Sequence, residues 1–444
     1  MKNGAINDIL FAREEKSRLQ LEALKESECV IGLGLNIPGG SKRTAEAVGC
    51  VLYASEIVYH KLNACMLLCS AFRFYFYPGG CFGIASVNAD AEDVKRVCVS
   101  IEEELSFGRL LDVDIIGSNG VAISRNVLGH SKRLCFCCDR PAVECGRAKA
   151  HSYQELRSKV SLLFQAFLES LDKTTIGAKY AIVACMALAK EVILTPKPGL
   201  VDSNDSGAHK DMDIETFMKS IAAIYPYLKN IEAEMTDAEF RQCGIACEKA
   251  MMSATGGINT HRGSIFILGH LIRAIKKYGE LPDSEECIRE YSRDVGKAEL
   301  IYALESDSSV TKTHGQEVYS RTKITGIRGE LASGLPTIFK LGLPLLEEKG
   351  ELSDADLIRI LFSIISNLDD STIISRTDLE TLRKVQDIAR SCSNLEDSEL
   401  ITITTTLNII WSKRRISPGG SADILAACMC LLALKKGCGK IFHS

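Results

Sequence analysis

At 444 residues the chain is longer than one hydrophobic core usually supports, and its 46% apolar and 25% charged residues are those of ordinary globular protein. A formal net charge of −4 excludes both the strongly basic balance of a nucleic-acid binder and the acidic profile of a disordered chain. Eighteen scattered cysteines with no signal-peptide pattern point to reduced thiols in a cytoplasmic protein. The longest apolar runs, Tyr180 to Ala189 and Ile424 to Leu434, stop short of the roughly 20 residues that span a bilayer, so no membrane partner is expected.

In chain order, "CVIGLGLNIPGG" (29–40), "ACMLLCSAFRFYFY" (64–77) and "CFGIASV" (81–87) are rich in strand formers. Helical stretches cover 42–62 and 89–108, the latter with Val94, Val97, Cys98 and Ile101 on one face. "RLLDVDIIG" and "VAISRN", joined by "SNG", give a hairpin signal. The order βαββαββ predicts an α+β domain over 1–170, a split-βαβ sheet with helices on one face. From Ser152 onward the period is helical, over 153–171, 174–194, 214–235, 263–279 and 421–437. That predicts a second, all-α domain over 174–444, with the boundary near 170–176.

Five polar breaks interrupt the helices. "TPKPGLVDSNDSGAHKDMD" (195–213) is long for a connection and concentrates ionisable groups where proline and glycine constrain the backbone. In it, His209 with Asp211 and Asp213 forms a metal or acid/base constellation. The others are "ATGGINTHRG" (254–263), the pair "THGQEVYSR" (313–321) and "GIRGELASG" (326–334), "NLDDSTIISR" (367–376), and "ISPGGSAD" (416–423). Loops of this kind can converge at one end of a bundle, where helix N-termini bind polyphosphate. Gly419 and Gly420 would let the backbone approach phosphate, while Arg262, Arg328 and Arg376 supply guanidinium forks. Plainer readings stand beside these: Ser421 as an N-cap, Asp423 as a complement to the helix dipole, and His261 and His314 as surface residues.

"EVILTPKPGLVDSNDSGAHKDMDIETFMKS", "TGGINTHRGSIFILG", "GIRGELASG" and "ISPGGSADILA" resemble the triphosphoribosyl-dephospho-CoA synthases that make the prosthetic-group precursor of citrate lyase. The resemblance implies that ATP and 3′-dephospho-CoA give 2′-(5″-triphosphoribosyl)-3′-dephospho-CoA with release of adenine. It implies roles for Asp211, Asp213 and Asp370 toward Mg2+ or the ribosyl cation, and for His209 as acid or base. Lys197, Asn259, His261, Arg262, Arg328, Glu330, Arg376, Gly419, Gly420, Ser421 and Asp423 form the nucleotide-binding set. Where the family carries Asp-Thr-Asn followed by Arg-Gly-Gly, this chain has Asp370-Ser371-Thr372 and Arg376-Thr377-Asp378.

In the first half, Asp112 and Asp114 alternate along a strand and so share a face, where paired carboxylates could bind Mg2+. The glycine turn "NIPGGSK" offers Lys42 to phosphate. Cys135, Cys138, Cys145 and His151 have the spacing of a structural zinc site, leaving Cys137 aside. The Pro-Gly-x-x-Lys loop at 38–42, "GRLLDVDII" and "RLCFCCDRPAVECGRAKAH" resemble the phosphoribosyl-dephospho-CoA transferase that modifies the apo acyl carrier subunit of citrate lyase. That resemblance implies attack by a carrier serine on phosphorus, pyrophosphate as leaving group, and Arg109 beside Lys42 as a phosphate ligand. The expectation is a bifunctional enzyme whose partners are nucleotides and the apo acyl carrier subunit. The rivals are a prosthetic-group synthase serving malonate decarboxylase and a zinc-containing nucleic-acid-binding protein on a helical scaffold.

Overall fold

The computed structural model describes residues 2–39, 42–305 and 314–442. Two compact units result, one built from the chain up to Ile182 together with its end from Phe442, the other from Val183–Ile441.

The first unit runs α1 (Lys2–Leu24), β1 (Cys29–Leu35), α2 (Ala45–Ala64), β2 (Leu68–Cys69), β3 (Arg73–Tyr77), β4 (Gly80–Asn88), α3 (Ala91–Glu104), β5 (Leu111–Gly117), α4 (Ala142–Ala148) and α5 (Tyr153–Lys173). The sheet is antiparallel in the order β2-β4-β1-β5, with β3 also pairing with β4. Strands β1 and β3 both oppose β4, and β4 and β5 both oppose β1, which makes two interleaved split-βαβ units, as the order of elements predicts. Helix α2 covers the face of Leu33, since its Ser55 lies 3.2 Å from where a Cβ on Gly83 would stand, and Gly83 pairs with Leu33. On the same face, Lys95 of α3 donates from Nζ to the Val113 carbonyl at 2.6 Å.

Three expectations are corrected. Helices lie on both faces, because α1 packs across Gly32 and Gly34; a Cβ on Gly32 would come within 2.3 Å of Gln20 Nε2. The segment 64–77 is not one strand: α2 runs to Ala64, Met66 turns at φ 61°, and only β2 and β3 are extended. "VAISRN" forms no strand and keeps only a bridge between Ile116 and Ala122, because Arg125 turns away to Glu103, Nη2 to Oε1 2.7 Å.

The second unit is helical: α6 (Lys179–Ile193), α7 (Ile214–Lys229), α8 (Asp237–Ala254), α9 (Arg262–Tyr278), α10 (Glu285–Glu305), α11 (His314–Thr322), α12 (Gly326–Ala332), α13 (Leu343–Glu347), α14 (Asp354–Asn367), α15 (Ser371–Arg376), α16 (Leu379–Cys392), α17 (Asp397–Lys413) and α18 (Gly419–Lys436). The division between units falls within α6. Helix α18 is apolar all round and buried from Ile424 to Leu434, packing against α9, α13 and α14, so it forms the core of the unit. Among the described residues no helix is long and apolar enough to cross a membrane, and no cysteine is in a disulfide.

Candidate functional sites

The breaks between helices meet. A cleft of about 1500 Å3 is lined by Lys197, His209, Asp211, Asn259, His261, Arg262, Arg328, Asp370, Arg376, Gly419, Gly420 and Asp423, which brings most of the predicted set together. Its cations form two groups. Arg262 donates from Nε to Glu248 at 2.9 Å and lies near Arg328, whose guanidinium covers the Phe266 ring at 5.5 Å. The Arg328 Nε is buried without a hydrogen-bond partner among the described residues. In the other group, Arg376 lies near Arg415 and Asp211 and donates from Nη2 to His209 Nδ1 at 3.1 Å. Lys210, Lys413 and Arg415, which no sequence pattern singles out, also line the cleft.

The bond from Arg376 fixes the tautomer of His209: Nδ1 accepts, so Nε2 carries the proton and donates to Ser417 Oγ at 3.0 Å. Burial first, and then Arg376, pull the His209 pKa down to about 4. The neutral ring, with both nitrogens engaged, orients Arg376. His261 is 2% exposed, its Nδ1 is 2.7 Å from Ser220 Oγ, and its Nε2 has no partner among the described residues. Burial holds its pKa near 3, so this ring too is neutral. The side chain of His314 lies outside the described residues.

Several predicted ligands are already in use. The Lys197 ammonium is 1% exposed and is bound by the Glu191 carboxylate and by the Glu191 carbonyl at 2.6 Å, so two of its three donors brace the 195–213 loop. Within that loop Asp202 accepts from the amides of Asn204 and Asp205 at 2.8 and 3.0 Å, and Asp205 accepts from Asn408 Nδ2 at 3.0 Å. Asp213 is the N-cap of α7, accepting from Thr216 N at 2.9 Å, and lies outside the cleft lining. Asp211 is therefore the aspartate of this loop that faces the cleft, and it is exposed there.

Asp370 is 1% exposed and accepts from Thr372 N at 2.9 Å, Gly420 N at 3.3 Å, Ser421 N at 2.8 Å and Ser421 Oγ at 3.0 Å. Burial raises its pKa despite these donors. It occupies the N-terminus of α18, so the amides of Gly420 and Ser421 expected to hold phosphate hold this carboxylate instead, and four donors leave it no open lone pair for Mg2+. Two aspartates of the segment that departs from the family pattern thus serve as caps, Asp370 as above and Asp378 capping α16 through Thr381 N at 2.7 Å. Glu330 is also removed from the cleft: it binds Thr337 N at 2.6 Å and Thr337 Oγ1 at 3.0 Å.

Asp423 is different. It projects from α18 into the cleft wall, its Oδ1 takes the Ser264 hydroxyl, and its Oδ2 lies where a Cβ on Gly263 would be 2.0 Å away. Burial, and the charges of Asp370 and Glu191, push its pKa up to about 8 despite the bond from Ser264.

In the sheet unit, Asp112 and Asp114 share the face covered by α1 and are half-exposed. Lys16 Nζ sits 2.8 Å from Asp114 and 3.9 Å from Asp112, and Arg133 donates to Asp112 at 3.2 Å. Burial works against ionisation of Asp112, but these two cations outweigh it and lower its pKa. Lys42 stands near Asp112, its pKa lowered by burial and by Arg13; Gly40 and Ser41 of the same loop lie outside the described residues. Arg109 donates from Nε to the Leu134 carbonyl at 2.9 Å and stacks on Phe136, leaving Nη1 without a partner among the described residues.

The Cys135, Cys138, Cys145 and His151 ligand atoms all lie within 4.8 Å of one another. A tight hairpin, with Cys135 N to the Arg140 carbonyl at 2.8 Å, delivers the first two, α4 brings Cys145, and Cys138 Sγ is 3.4 Å from Cys145 Sγ and 3.3 Å from His151 Nε2. Hydrogen bonds from Arg140, then His151 and Cys145, lower the Cys138 pKa to about 6, toward the thiolate that metals bind.

Residues 177–441 match the family described as ATP:dephospho-CoA triphosphoribosyl transferase, and residues 5–167 match the family Apo-citrate lyase phosphoribosyl-dephospho-CoA transferase. Protein CitXG of Leuconostoc mesenteroides subsp. cremoris is 30% identical over 446 aligned positions, covering 93% of this chain and 92% of that one. The chain belongs to the triphosphoribosyl-dephospho-CoA transferase family, fused to the citrate lyase transferase. Protein CitXG of Haemophilus influenzae is 28% identical over 97% of this chain and 96% of its own length. A 2-(5''-triphosphoribosyl)-3'-dephosphocoenzyme-A synthase of Pectobacterium atrosepticum is 36% identical over 54% of this chain and 84% of its own. With both halves matched, the family member described here is a bifunctional transferase of citrate lyase maturation. The pattern reading missed Glu191, whose partner Lys197 is six residues on, and Ser417, whose partner His209 lies in another segment, and it gave Asp423 only a binding role.

Proposed function

We propose that the helical unit binds ATP and 3′-dephospho-CoA side by side in the cleft and joins them, and that the sheet unit then transfers the product to a serine of the apo acyl carrier subunit. The observation that carries this is the cleft itself. At about 1500 Å3 it exceeds the roughly 300–1,000 Å3 typical of a site for one small molecule. Its two cation groups, Arg262 with Arg328 and Arg376 with Arg415, suit two polyphosphate chains, the ATP triphosphate and the dephospho-CoA pyrophosphate. The ribosyl carbon of ATP, positive as adenine departs, is met by the 2′-hydroxyl of the second nucleotide while the phosphates stay held. Asp211, exposed to the cleft, would hold Mg2+ and so supply charge neutralisation for the phosphates. Asn259, whose Oδ1 accepts from Arg262 N at 3.3 Å, orders the start of α9.

On the sheet, Asp112 and Asp114 fit a divalent cation by donor type and spacing, since the Lys16 ammonium already stands between them. When bound there, Mg2+ would neutralise phosphoryl oxygens during attack by the carrier serine. Arg109, Lys42 and Arg133 supply positive charge for the pyrophosphate that leaves. The three cysteines and His151 fit a structural Zn2+, because four soft ligands at these separations match a tetrahedral site.

The test is one incubation of the full chain with ATP, 3′-dephospho-CoA, Mg2+ and apo carrier protein, followed by adenine quantification and carrier mass. Adenine release with the carrier heavier by one phosphoribosyl-dephospho-CoA group is expected. Adenine without a mass gain would remove the transferase role, and no adenine would remove the synthase role.

A further inference from the structure

Four groups crowd one wall of the cleft. Asp423 of α18 lies near Asp370, which caps α15, and near Glu191 of α6, with Lys197 already committed to Glu191. The opposing element, the start of α9, contributes the Ser264 hydroxyl, the clearance at Gly263, and the neutral ring of His261. Three carboxyl groups thus share one cation. The least costly arrangement keeps one of them protonated, and Asp423 has fewer donors than Asp370, the hydroxyl and amide of Ser264 against three amides and a hydroxyl. A second feature points to a ligand at this wall. His261, 2% exposed and edge-on to the Phe217 ring at 4.9 Å, lines the cleft with an Nε2 that has no partner among the described residues, a polar atom that a heterocycle in the cleft would satisfy.

We propose that Asp423 is the acid that protonates the departing adenine, with His261 Nε2 meeting the same purine. The assignment rests on the synthase reading of the helical unit. The C1′–N9 bond of ATP breaks with its electron pair passing to the purine, and the Asp423 proton passes to purine N7. The 2′-oxygen of dephospho-CoA bonds to C1′, and the proton it sheds returns Asp423 to its acid form, so adenine leaves neutral and no net proton is gained or lost. An acid whose pKa stands at about 8 is loaded at neutral pH and close enough in strength to give up its proton. Ser264 and Gly263 are positioning residues: one holds Oδ1 and the other gives the carboxyl room.

The experiment uses the full chain with 3′-dephospho-CoA, Mg2+ and either ATP or 7-methyl-ATP, whose base leaves without taking up a proton, and follows kcat for base release against pH. With ATP the wild type should lose rate as pH rises through about 8, where Asp423 ionises. Asp423→Asn should fall by roughly 10²–10⁴-fold with ATP, lose that alkaline limb, and regain near wild-type rate with 7-methyl-ATP. Ser264→Ala, deprived of the bond that favours ionised Asp423, should move the limb to higher pH. Equal losses of Asp423→Asn on both substrates would mean a structural role and overturn the assignment, as would wild-type rates on ATP or a limb that Ser264→Ala leaves in place. Absence of adenine release by the wild type would overturn the synthase reading and this assignment with it.

Discussion

The two units hold the same chemical pair in different surroundings. In the helical unit Lys197 and Glu191 are 1% and 5% exposed, whereas in the sheet unit Lys16 meets Asp112 and Asp114 on a half-exposed strand face. The first pair is structural, because neither ion can leave without stranding the other. The second is exchangeable, because water stands ready to solvate both partners. The same contrast runs through the chemistry. Burial in the helical cleft moves protons, holding His209 and His261 neutral and Asp423 acidic, while the open sheet face keeps its charges and can neutralise phosphate with them.

The contrast can be pressed in order of expected effect. The deepest separation is between the two activities: if the cysteine and histidine cluster holds zinc in the sheet unit, metal analysis finds one zinc per chain. Stripping it with a chelator should then abolish carrier labelling while adenine release continues. Parallel loss of both activities would mean that the cluster is not confined in its influence to the transferase. Next, Lys197→Met should cost about 3–5 kcal/mol in a urea melt, since Glu191 is left buried and uncompensated. A change below about 1 kcal/mol would show that water reaches the pair.

Gly263→Ala places a Cβ 2.0 Å from Asp423 Oδ2. Displacing that carboxyl by about 1 Å should lower adenine release roughly 10²-fold. Transfer from supplied triphosphoribosyl-dephospho-CoA to the carrier should be untouched, and assaying the two steps separately decides it.

Acid acts on the buried histidines of the helical unit. His261 and His270, both 2% exposed, are held near pKa 3, mainly by burial. Unfolding lets them take up protons below the ordinary value of about 6.5. The unfolded state therefore binds more protons between about 6.5 and 3, so each contributes stability that falls as pH drops through that window, by up to about 1.4 kcal/mol per pH unit. Their ring resonances should stay flat from neutral pH down to about 5; titration there would show that the rings are hydrated. The smallest effect belongs to Lys16→Met, under about 1 kcal/mol in stability, with the loss appearing in carrier labelling instead.

How far the site could be read in advance differs residue by residue. Convergence of the polar breaks was legible because glycine, proline and aspartate cluster where helices end, and helix ends of a bundle gather. The fate of each aspartate was not. Asp211 and Asp213 lie two residues apart in one loop, yet Asp213 caps α7 and Asp211 faces the cleft. Helix α1 escaped the periodicity because its apolar residues do not form one stripe: Ile6, Leu10, Phe11 and Leu21 are about half-exposed while Ala12 and Ala23 are buried. "VAISRN" read as a strand because a turn signal preceded it, but strand propensity does not prolong a pairing, which here stops at the bridge between Ile116 and Ala122.

What the sequence determined by itself is the set of elements with strong local causes: the split-βαβ order from alternating periods, the helices from their caps and stripes, the soft-ligand cluster from spacing, and the family from long ordered motifs. Only the tertiary structure decided which groups are spent and which remain for chemistry. Asp370 closes the α18 N-terminus from about 50 residues away, and His209 reaches Ser417 across the chain. The physical reason is that hydrogen-bond partners and burial set the protonation and availability of a polar group, and both are properties of distant segments brought together, on which a residue's neighbours in sequence have no hold.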